Sequence, residues 1–134
     1  MFRPMTFDDL HKLIKNGDII SLRRELDEGA SANLSNQFSW TLLMLGAIKG
    51  NLPIAELLIS RGANVNAVND FGETALSLAA CAGHIRLVRV LLANGSSTEC
   101  KPHGHRLDHW LQVSSALPQD KIESILEIIS GAKS

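Results

Sequence analysis

Tyrosine is missing from this chain of 134 residues, and four Phe and two Trp are its only aromatics, so the place of each is informative. Cysteine is almost as scarce. Cys81 and Cys100 are too few and too far apart in sequence for a disulfide framework or a CxxC metal pair, and reduced thiols of an intracellular protein are expected. No apolar run of membrane-spanning length occurs, and the formal net charge of -1 argues against general affinity for nucleic acid or an anionic membrane. The opening stretch carries Pro4, Asp8 and Asp9 where a signal peptide needs apolar residues, which favours a cytoplasmic protein. Neither a glycine-rich phosphate loop nor a nucleophile elbow is present. The carboxylate pairs Glu25/Glu28 and Glu123/Glu127 have no nucleophile or metal ligand beside them, so no enzyme is expected.

What the chain does have is a period. Gly17, Gly50 and Gly83 form one ladder and Gly29, Gly62 and Gly95 another, every step being 33 residues. Thr41/Thr74, Leu43/Leu76, Ala47/Ala80 and Leu58/Leu91 keep the same step. A fixed period in this range signals a stack of one small unit, and it moves the functional expectation from chemistry to binding. Within the unit, residues 74 to 82 have the apolar pattern of a helix that Gly83 ends. A second helix spans about Ile85 to Ala93 and stops at Gly95. Pro53, at the start of the matching helix one repeat earlier, lacks only an N–H that the helix does not use, and Asn51 ahead of it is a candidate cap.

Residues 69 to 101, with T-A-L-S-L-A at Thr74 to Ala79, resemble the ankyrin repeat, and T-L-L-M-L-G at Thr41 to Gly46 is a second copy. The Pro and His of that family's signature are missing from both. The resemblance implies an all-α ankyrin-repeat solenoid filling one domain, 1–134. Its parts are an N-terminal capping repeat at 1–35, repeats at 36–68 and 69–101, and a diverged C-terminal capping repeat at 102–134 closed by Gly131. It also implies a module that binds another protein, as a monomer when free and without a cofactor, through loop tips and inner helices on a concave face. Inhibitor, immunity-type partner and adaptor are all open to it. Carried over residue by residue, the partner-binding positions are Phe38, Trp40, Ile48 and Lys49 in one repeat and Asp70, Phe71 and Glu73 in the next. Gln37, Cys81 and Ala82 complete these sets, and Phe7 and Lys15 are their counterparts in the N-terminal cap. His84 stands where the resemblance implies a residue that caps the second helix.

Phe7, Phe38, Trp40 and Phe71 thus fall at loop tips, where the fold does not require apolar side chains and where aromatics make strong binding anchors. Phe38 and Phe71, one repeat apart, have an alternative use as an internal stack between loops. A second constellation is Cys100, His103, His105 and His109, a C-x2-H-x-H-x3-H run whose sulfur and imidazoles have the chemistry of zinc ligands in a metal-responsive binding protein. Polar turn residues in a loop anchored by Leu107 and Trp110 account for the same histidines.

Overall fold

The structure, a computed structural model, describes residues 4–133. Its helices come in pairs: α1 (Phe7–Lys15) with α2 (Ile19–Asp27), α3 (Leu42–Lys49) with α4 (Leu52–Ser60), α5 (Ala75–Ala82) with α6 (Ile85–Ala93), and α7 (Leu107–Ser114) with α8 (Gln119–Lys133). Odd-numbered helices pack in sequence as one layer and even-numbered ones as the other. The only pairing of strand type among the described residues is an isolated bridge between Ser35 and Thr41. The fold is the all-helical repeat solenoid that the period predicts.

The starts of α1 to α5 are fixed by local side-chain caps. Thr41 Oγ1 accepts from the Met44 amide, and Thr74 exchanges bonds with Ser77 in a reciprocal cap. Asp18 and Asn51 cap the second helices of their repeats by accepting from the Ser21 and Ile54 amides. His84 holds the matching place in the third repeat, yet its side chain makes no cap bond. Its Nε2 lies 3.2 Å from the Ile48 carbonyl instead, tying α6 to the end of α3. Gly50 makes room for this: a side chain there would collide with the imidazole.

Between the layers runs one aliphatic core, in which Leu10, Ile14, Leu22, Leu43, Ile54, Leu58, Leu76, Leu87, Leu91 and Leu111 are buried. A repeated side-chain bridge stitches the outer turns. Asn33 donates to the Gly62 carbonyl and accepts from the Asn64 amide; Asn66, one period on, does the same with Gly95 and Ser97. Every glycine of both ladders has positive φ, the conformation that made glycine the marker of the period.

The ends depart from the expected register. At the N-terminus the cap is Thr6, two places ahead of the Thr column, in a reciprocal bond with Asp9. Phe7 therefore becomes the first residue of α1 and is buried, contrary to its expected place at a loop tip. At the C-terminus α7 starts 32 residues after α5, so the third loop is one residue short. Gly131 does not close a repeat, because α8 continues through it to Lys133.

Two measurements test this packing. Leu76→Ala and Leu91→Ala should each lower the unfolding free energy in urea by about 2–5 kcal/mol, since each leaves a cavity between layers. Gly72→Ala should cost more than Gly95→Ala. Both have positive φ, but only at Gly72 would a methyl group strike the backbone, at the Lys101 carbonyl, whereas space beside Gly95 is open.

Candidate functional site

Three loops connect successive repeats and can be superposed on their turn bonds. The amides of Ser39, Gly72 and Gly104 donate to the carbonyls of Asn36, Asn69 and Lys101. In the first two loops the asparagine side chain also accepts from the chain ahead: Asn36 from Phe38 and Trp40, Asn69 from Phe71 and Glu73. Ser39 adopts φ 64 where the next loop has Gly72 at φ 77, so the serine keeps the turn at some cost in strain.

The same superposition puts Phe38, Phe71 and His103 in one column. Their rings follow one another, Phe38 to Phe71 at 6.4 Å between centroids and Phe71 to His103 at 5.9 Å. His103 stacks in turn on Trp110 at 4.6 Å, and His105 covers Trp110 at 5.5 Å. The backbones are joined as well: the Asp70 amide donates to the Phe38 carbonyl, and the His103 amide to the Phe71 carbonyl. Pro102 matches Asp70 but has no N–H, so the next residue, His103, makes the bond and takes φ 52.

Phe38 and Phe71 both stack and stay open, at 49% and 45% exposure. Trp40 is half-buried against the core, so its indole has a packing role as well as an accessible edge. Asp70 is exposed; Glu73 is largely covered, accepts from Asn69 Nδ2 at 3.0 Å and pairs with His103 Nε2 at 3.4 Å. Ile48 and Lys49 are exposed at the end of α3, while Cys81 and Ala82 are half-buried at the end of α5. Exposed Val113 went unnoticed in the sequence. The loop that is one residue short places it beside Ile48 and Cys81 in register, a match that a strict step of 33 assigns to Ser114.

The histidine run is not gathered into a metal site. His103 is held between Phe71, Trp110 and Glu73; His105 and His109 lie near each other at 5.3 Å; Cys100 is half-buried. Among the described residues no three His, Cys, Asp or Glu side chains converge as a metal needs. Burial pushes the Cys81 thiol up to about 11 and raises that of Cys100 too, which makes both poor nucleophiles.

Stacked helix pairs, threonine caps and loops bonded edge to edge define a repeat solenoid. The ankyrin-repeat family model matches residues 10–101 as three copies, and the chain belongs to the ankyrin repeat family. Comparison with curated proteins finds no match. Ankyrin repeats are in general protein–protein interaction modules and typically lack enzymatic activity. The matched span stops at Lys101, within the shortened loop. Among the described residues no helix is long and apolar enough to cross a membrane.

The thiols give a pH prediction. Cys81 ionises near 9.0 when unfolded but near 11 when folded, so between these values the unfolded chain loses its proton first. Stability present below pH 9.0 should therefore fall as pH rises towards 11, and Cys81→Ala should flatten that slope in urea titrations. For the loop, Trp110→Ala should raise hydrogen exchange mainly after residue 100, because it removes the platform on which His103 and His105 stack.

Proposed function

We propose that the chain is a non-enzymatic binding protein that docks another protein on the surface formed by its loop tips and odd-numbered helices. The observation that carries this reading is the exposure of large apolar side chains there. Phe38, Phe71, Ile48 and Val113 are four of the six large hydrophobics exposed among the described residues. Phe38 and Phe71 hold matching positions in successive repeats, and Ile48 and Val113 hold matching positions in α3 and α7 with half-buried Cys81 of α5 between them. Single exposed hydrophobics are ordinary, whereas a series in register across neighbouring repeats is what an interface core requires. The partner-binding set is Phe38, Trp40, Ile48, Lys49, Asp70, Phe71 and Glu73, to which Val113 is added.

The stacking of Phe38 on Phe71 fits this role. A ring held on one side by its neighbour presents the other with little rotor entropy left to lose, which is the economy expected of a binding anchor. Free, half-buried Cys81 and Cys100 favour a reducing compartment, and the cytoplasm is the location in this reading. The chain is taken as a monomer when free, acting as inhibitor, immunity-type partner or adaptor.

The test is affinity capture from the native host with the intact chain and with Phe38→Ala and Ile48→Ala. The reading expects a protein held by the parent and lost from both variants, with affinity reduced by about thirtyfold, or about 2 kcal/mol, for each anchor. Thermal melts should stay close to the parent's, less so for Phe38→Ala, which also gives up its contact with Phe71. Equal capture by all three proteins would move the docking face elsewhere.

A further inference from the structure

The inner-helix surface changes character from one end of the stack to the other. Leu45 and Ile48 of α3 correspond to Leu78 and Cys81 of α5 and, across the short loop, to Trp110 and Val113 of α7. In α1 the same two positions are Lys12 and Lys15, both exposed. Lys49, next to Ile48, reaches back across α1, its Nζ donating to the Lys15 carbonyl at 3.1 Å. The three lysines therefore belong to one end of the surface. None of the ion pairs of the described residues takes any of them, and Asp8, a turn before Lys12, is the acidic neighbour on that side of α1.

Towards α7 the surface becomes apolar. Ile48 and Val113 are 45% and 60% exposed towards the ends of α3 and α7, and Phe38 and Phe71 are open at the loop tips that precede α3 and α5. Of the two loop-tip carboxylates, Glu73 is already committed to Asn69 and His103, which leaves Asp70 facing solvent. An apolar strip with cations at one end is an oriented surface: hydrophobic burial supplies affinity, and the charge sets direction.

On the reading that this surface is the docking face, we propose that it takes a segment of its partner that is acidic at one end and apolar along the rest. The acidic end lies over Lys12, Lys15 and Lys49, and the apolar side chains lie over Ile48, Val113 and the exposed phenylalanines. A carboxylate cluster matches the lysines while the same chain supplies the apolar groups, which neither a phosphate backbone nor a lipid headgroup layer does within one strip.

The probe is a library of random peptides displayed on phage and selected on the immobilised full chain, followed by titration of labelled synthetic copies. Expected are sequences with clustered Asp or Glu beside Leu, Ile, Phe or Trp. Lys12→Gln with Lys15→Gln should weaken them about tenfold at low salt, an effect that fades between about 50 and about 500 mM sodium chloride. Ile48→Ser with Val113→Ser should weaken them at every salt concentration. All four positions are exposed, and circular dichroism melts check that both double variants stay folded. Selected peptides that lack acidic residues, ignore the lysine change and are lost on Ile48→Ser with Val113→Ser would overturn the charge pairing while leaving the docking face standing. Peptides indifferent to both pairs of changes would overturn both. An empty selection, or lysine-dependent binding to single-stranded DNA or phosphatidylserine vesicles in place of peptides, would overturn the acidic segment.

Discussion

Each loop of this solenoid must come close enough to the next for one amide to reach one carbonyl. The bonds from Asp70 to Phe38 and from His103 to Phe71 meet that condition, joining the backbones of successive loops. Much else is subordinate to it. Gly72 has no side chain because the Lys101 carbonyl occupies that space, and the rings of Phe38, Phe71 and His103 meet because the backbones beneath them are already in register. Pro102 removes a donor from the series, and the chain answers by moving the bond to His103 and holding that residue at positive φ.

The interior repeats were legible because their signals are local. A threonine before an apolar run, a glycine that ends a helix and a proline in a first turn act within a few residues, and α5 and α6 lie where those signals put them. The ends were harder to read for a physical reason. A terminal repeat has a neighbour on one side only, so its register is free to slide: Thr6 caps two places early, and α8 runs through Gly131. Once the loop loses a residue, a fixed step of 33 leads from Cys81 to Ser114 rather than to the exposed Val113.

At the candidate surface, the sequence marked residue types but could not tell contact from exposure. For Phe38 and Phe71 stacking and exposure turned out to be compatible: Phe38 has Phe71 as its ring neighbour, and Phe71, between Phe38 and His103, still keeps 45% of its surface open. Trp40 leans on the core, and Phe7 belongs to it. His103 and His105 resolve into members of a stacked column around Trp110, a use of imidazole that rests on its flat ring rather than on its lone pairs, while His109 meets the ring of His105.

The asparagine bridges on the opposite edge carry a meaning for copy number. Asn33 and Asn66 each offer a turn ahead both a hydrogen and a lone pair, and the next rung of that column is Glu99. A carboxylate can accept but has no amide hydrogen to hand on. A regular repeat grafted after residue 101 would find half of its expected handshake missing, so a single exchange of amide for acid marks where the regular array ends and the irregular helices take over.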